Sequence, residues 1–108
     1  MASRGAASDA GDETEADRER QTRVERSLQE KAWGNTAYKA GNAVEAARRY
    51  SAAITLNPND HLLHSNRSMA LAALQRWKEA EESAAKAVEL LPDFVKGYLR
   101  LAKAQLEQ

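Results

Sequence analysis

Pro58 and Pro92 stand 92 − 58 = 34 residues apart, and the same step recurs across the chain. It carries Ala46 to Ala80, Ala53 to Ala87, Ile54 to Val88 and Leu56 to Leu90. It also carries Gly34 to Ser68 and on to Ala102, a column of small residues. A period of this length means one supersecondary unit stacked on its own copies, because a single unit cannot bury its apolar face alone. A small residue repeated at one helical position lets two helices approach closely. A repeated proline ends the helix before it, since proline lacks the N–H that the next turn requires.

Apolar spacing within each period is helical. Val24, Leu28 and Ala32 recur at i, i+4 and i+8, and the pattern continues to Ala40, where Gly41-Asn42 interrupts it as a turn. Val44 to Leu56 is the next helical stretch, stopped by Asn57-Pro58-Asn59. Asp60 to Leu74 follows, with Asn59 or Asp60 as N-cap. Gln75-Arg76-Trp77 is a short connection to Lys78–Leu91, and Pro92-Asp93 opens a last helix, Phe94–Glu107. Five helices joined by such short turns predict antiparallel helical hairpins and an all-α fold. The first 22 residues show no apolar period and run into mixed charge from Asp12 to Arg20. Too little apolar surface is available there to offset the entropy of ordering, so residues 1–22 are expected to be a disordered charged tail.

Composition excludes several classes of function. Sixteen basic and sixteen acidic residues cancel, and from Ser27 onward 11 basic against 9 acidic residues leave only +2. Neither balance favours a nucleic-acid or membrane partner. No cysteine is present, which removes disulfides and thiol chemistry and fits a reducing compartment. No apolar run approaches the ~20 residues of a membrane span. The start of the chain lacks the apolar stretch of a secretory signal and is too acidic for a transit peptide, so a cytoplasmic location is expected. His61 and His64 lie at i, i+3 without a third candidate ligand, so packing rather than metal binding is expected. No phosphate loop, nucleophile–base pair or pair of acids in a cleft appears. The chain is not expected to be an enzyme, nor to need a cofactor, a metal or a small-molecule substrate.

From about Ser27 onward the chain resembles a tetratricopeptide repeat (TPR) domain. The first repeat, 27–60, carries Gly34, Tyr38, Gly41, Ala46, Tyr50, Ala53 and Pro58. The second, 61–94, is looser, with Ser68, Leu71, Ala80, Ala84, Ala87 and Pro92, and a third, 95–108, is cut short. The resemblance implies hairpins stacked as a superhelix of about two and a half repeats over residues 23–108. The first helix of each hairpin would line a concave groove. It also implies core positions for Trp33 and Trp77. With no second helix in the third repeat, a face of the last helix around Tyr98, Leu101 and Ala102 is expected to be uncovered, as in a fragment of a longer protein.

On the groove-lining helices the polar residues are Lys31 and Asn35, then Asn66, then Lys96 and Arg100. Lys31–Asn35 and Lys96–Arg100 are i, i+4 pairs, so each shares a helix face. A single lysine or arginine on a helix is ordinarily just solvated, but asparagine is a mediocre helix former and two stand mid-helix here. The segments Lys31-Ala32-Trp33-Gly34-Asn35, Ser65-Asn66-Arg67-Ser68 and Lys96-Gly97-Tyr98-Leu99-Arg100 resemble the carboxylate clamp of co-chaperone TPR domains. The pattern is similar to the first TPR domain of chaperone-organising (stress-inducible) proteins and to small glutamine-rich co-chaperones. That resemblance implies a co-chaperone or adaptor module whose partner is the C-terminal Glu-Glu-Val-Asp of 70-kDa and 90-kDa heat-shock chaperones. Lys31, Asn35 and Asn66 would hold the terminal carboxylate, and Lys96 and Arg100 the Asp side chain or nearby backbone. Tyr38, Met69 and Ala72 are candidates to receive the Val. The alternative is a TPR interaction domain of another larger protein, such as an organelle import receptor or the regulatory part of a phosphatase or peptidyl-prolyl isomerase.

Overall fold

The computed structural model describes residues 13–108, and five α-helices lie among the described residues. They are α1 (Glu15–Lys39), α2 (Ala43–Leu56), α3 (His61–Ala73), α4 (Trp77–Leu90) and α5 (Val95–Leu106). Each helix packs on the next in sequence, and α3 also touches α5 directly. First helices α3 and α5 therefore lie side by side, while α2 packs on both α1 and α3 and α4 on both α3 and α5.

The turns follow from local chemistry. Gly41 takes φ +84°, the left-handed conformation that ends α1 without a Cβ penalty. Asn42 then caps α2 by accepting from the Glu45 N–H at 3.1 Å. Asp60 caps α3, its Oδ1 accepting from the Leu62 N–H at 2.9 Å. Gln75 carries the turn between α3 and α4 at φ +59°.

Alanine fills much of the interior: Ala46, Ala53, Ala70, Ala80, Ala84 and Ala87 are all fully buried. Small side chains let the helix backbones close in, and the few large residues, Tyr50, Leu63 and Leu71, occupy the remaining space. At Gly34 a Cβ would stand 2.6 Å from Tyr50 Cε1, so glycine is the residue this contact permits. Its equivalent Ser68 is buried and donates its hydroxyl to the Ala80 carbonyl at 2.8 Å. The third member of that column, Ala102, is exposed. Beside it Tyr98 is 47% exposed and Leu101 half-buried, while Val95, Leu99 and Leu106 are uncovered further still.

Two expectations are corrected. Residues 15–22, assigned to the tail, are helical, so α1 starts well before residue 23; residues 1–12 of that tail lie outside the described residues. The helix there is held locally rather than by burial, since every residue from Arg18 to Arg26 is exposed. Thr14 and Asp17 form a reciprocal capping box, with bonds of 3.0 and 3.2 Å, and Arg20 pairs with Asp17. Trp33 is not a core residue. It is 47% exposed, with the Arg49 guanidinium stacked 4.7 Å from its ring centre. Arg49 also bonds Glu30 on α1 and Glu45 on α2, so this surface cluster ties the first hairpin together. Trp77, by contrast, packs against the core as expected.

The histidines are packing residues. His64 is buried, with a ring nitrogen 2.8 Å from the Pro58 carbonyl, and His61 meets the Phe94 ring edge-on. No group of three potential metal ligands occurs among the described residues, and none of the described helices is long and apolar enough to cross a membrane.

Candidate functional site: a groove lined by three parallel helices

Helices α1, α3 and α5 border one cleft of about 230 Å³. Tyr38 comes from α1, Ser68, Met69 and Ala72 from α3, and Arg100 and Lys103 from α5. Tyr38, Met69 and Ala72 thus share a single floor, with Arg100 at its edge.

Two hydrogen bonds fix Asn35 and Arg100 on these helices. The fully buried Tyr50 of α2 sends its phenol between the first helices and donates to Asn35 Oδ1 at 2.6 Å. With the carbonyl end of that amide occupied, the Asn35 NH₂ group is left as the donor available to a ligand. Arg100 Nε donates to Ser65 Oγ at 2.9 Å, joining α5 to α3 beside Asn66. That bond uses one corner of the guanidinium fork and leaves its two terminal nitrogens without other side-chain bonds among the described residues. Neither Tyr50 nor Ser65 stands out in the sequence as a functional residue. Their partners lie 15 and 35 residues away, although Tyr50 does occupy the aromatic column of the first repeat.

Electrostatics here favour an anion. Burial pulls the Arg100 guanidinium below its usual pKa, against the opposing pull of the Tyr38 and Tyr50 phenols, and the same crowding pushes the Tyr50 phenol up. A partly desolvated cation of this kind is stabilised by any carboxylate brought beside it. Among the described residues no acidic side chain pairs with Lys31, Lys96 or Arg100, whereas Arg20, Arg48, Arg49 and Arg76 all have acidic partners. Lys31 and Asn66 are half-buried and Lys96 is exposed. Lys31 and Lys96 each stand one turn before Asn35 and Arg100 on the same helix faces.

Relatives of this chain carry the same architecture. No family model matches it. The Hsp70-Hsp90 organizing protein of Triticum aestivum is 53% identical over 76 residues, which is 70% of this chain but 13% of that protein. The chain therefore spans only a small part of this relative. The solved Arabidopsis OM64 TPR domain is 34% identical with a TM-score of 0.77, covering 79% of this chain and 70% of that one. The second TPR of Spaghetti (RPAP3), solved bound to HSP90 peptide SRMEEVD, is 29% identical with a TM-score of 0.78 and covers 81% and 80%.

Proposed function

Because this chain belongs to the tetratricopeptide repeat family, we propose that its groove is a carboxylate clamp for the C-terminal Glu-Glu-Val-Asp of cytosolic 70-kDa or 90-kDa heat-shock chaperones. The module works as a co-chaperone adaptor rather than a catalyst, and its place is the cytoplasm, where those tails are presented. The observation that carries this is a set of three cations, Lys31, Lys96 and Arg100, with no acidic partner among the described residues. They stand on α1 and α5, and the amides Asn35 and Asn66 on α1 and α3, the three helices that border one apolar-floored cleft; of the five, Arg100 lines the cleft itself. The relatives named for Hsp70 and Hsp90, or solved with an HSP90 peptide, support the same choice of partner.

The chemistry of the ligand suits the donors. A C-terminal Asp carries two carboxylates on one residue, and neutralising both takes charge and hydrogen bonds from several directions. Lys31, Asn35 and Asn66 converge on the chain terminus. Lysine supplies a full charge with three donors, and each asparagine supplies N–H groups without adding charge. Lys96 and Arg100 hold the Asp side chain, with arginine's planar fork matched to a carboxylate. The preceding Val lies on Tyr38, Met69 and Ala72. Each charge-assisted hydrogen bond contributes about 1.5–3 kcal/mol. Ordering a flexible tail offsets part of the sum, so a moderate affinity that weakens with salt is expected.

Calorimetric titration with a Glu-Glu-Val-Asp peptide, its C-terminal amide and a scrambled control tests this directly. The acid should bind, the amide should lose most of the affinity and the scrambled peptide should not bind. Equal affinity for acid and amide would rule out a grip on the terminal carboxylate.

A further inference from the structure

A second cleft, of about 310 Å³, opens away from the groove. Val44 and Arg48 line it from α2, Arg67 and Leu71 from α3, and Arg76 from the turn before α4. Helix α3 therefore serves both clefts. Two residues turn a helix by about 200°, so Arg67 and Leu71 stand on the far side of α3 from Met69.

Arg67 is held here in an unusual way. It is half-buried, where an unpaired cation costs free energy, yet no acidic side chain pairs with it among the described residues. Its Nε donates to Ser51 Oγ at 2.9 Å and one terminal nitrogen donates to Ser83 Oγ at 2.8 Å. Two neutral hydroxyls, from α2 and α4, thus fix the guanidinium between helices without neutralising it. Its other terminal nitrogen makes no side-chain bond among the described residues and can serve a ligand. Arg48 and Arg76 add charge at the rim. Their partners Glu45 and Glu79 sit three residues away on the same stretch of chain, and neither glutamate lines the cleft. Exposed pairs of that kind are weak, so an incoming carboxylate competes with them. Val44, 57% exposed, and Ala47 supply apolar surface beside the three cations.

We propose that this cleft docks an acidic segment of a partner protein, with a carboxylate on Arg67 and a neighbouring apolar side chain on Val44 and Ala47. Charge complementarity selects that occupant: three guanidinium groups converge on a cleft with no acidic lining, and the half-buried one is already oriented. The two clefts have no lining residue in common, so the domain holds this segment and a groove ligand at once.

The probe is a dye-labelled Glu-Glu-Leu-Glu-Glu peptide, amidated so that it carries no terminal carboxylate, titrated into the full chain. Native protein should bind it, and binding should persist in saturating unlabelled Glu-Glu-Val-Asp. The Gln-Gln-Leu-Gln-Gln counterpart should not bind, and Glu-Glu-Ser-Glu-Glu should bind several-fold more weakly. Arg67→Gln should weaken the probe by roughly tenfold, the scale of a charge-assisted hydrogen bond. Arg76→Gln, at the exposed rim, should weaken it by roughly two- to fivefold. Because Arg67→Gln also removes the bonds to Ser51 and Ser83, nitrogen-15 spectra of the native protein give a second reading. The Arg67 side-chain signal and the Val44 and Ala47 backbone signals should move with the probe, while those of Tyr38 and Met69 stay. The proposal is overturned by no binding at millimolar probe, by displacement with Glu-Glu-Val-Asp, by equal binding of the Gln or Ser peptide, or by stationary Arg67 signals with full affinity in Arg76→Gln.

Discussion

Replacing Arg100 with alanine is expected to lower affinity for a Glu-Glu-Val-Asp peptide by roughly ten- to a hundredfold, the worth of one charge-assisted hydrogen bond. Helical content and melting should change little. Arg100 is half-buried, but its side-chain hydrogen bond within the described residues goes to Ser65, whose hydroxyl can turn to another acceptor once released. A protein that folds normally and fails to bind is the outcome that distinguishes a ligand-holding residue from a packing residue. Arg100→Lys should recover only part of the affinity. The three N–H groups of an ammonium radiate from one atom and cannot reproduce the planar fork that meets Ser65 at one corner and a carboxylate along another edge, so the charge returns without the geometry. Calorimetry on the three proteins, paired with circular dichroism, checks both halves.

The largest effect on stability is expected at Tyr50. Tyr50→Ala removes a fully buried ring that touches Gly34 and anchors the first hairpin, and should cost about 3–5 kcal/mol. In a small domain that is enough to shift the melting transition sharply downward, or to abolish it. Tyr50→Phe keeps the ring and removes only the bond to Asn35. Its cost in stability should be about 1 kcal/mol. Its effect on binding should be larger than on folding, because the Asn35 amide is then free to turn its carbonyl toward the ligand, where it repels a carboxylate. Thermal melts and peptide titrations of the two variants separate packing from positioning. A Tyr50→Ala protein that melts like the native one would contradict the packing described for α1 and α2.

Much of this architecture is legible in the sequence. The 34-residue columns mark helix ends through Pro58 and Pro92, close approaches through Gly34 and Ser68, and core positions through Ala46, Ala80, Ala53 and Ala87. These are properties that repetition makes visible, because each is stated twice. The start of α1 is not legible from apolar periodicity, since residues 15–26 form helix through a capping box and charge pairs rather than burial. Trp33 departs from its expected place for a related reason. A tryptophan next to the small-residue column suggests an interior position, but Arg49 with its two glutamates builds a satisfactory resting place for an indole on the surface. At the groove, residue types suited to an anion can be read from position. The side chains that aim them cannot: Tyr50 and Ser65 reach Asn35 and Arg100 only after the helices stack.

The most direct test watches the two asparagines. Side-chain amide resonances of Asn35 and Asn66 in a nitrogen-15 labelled protein can be followed while the Glu-Glu-Val-Asp peptide is added, each signal assigned by mutation to alanine. A grip on the terminal carboxylate predicts that both move on binding, and far more for the free acid than for the amide. Stationary Asn35 and Asn66 signals at saturating peptide would contradict it, as would equal shifts for acid and amide.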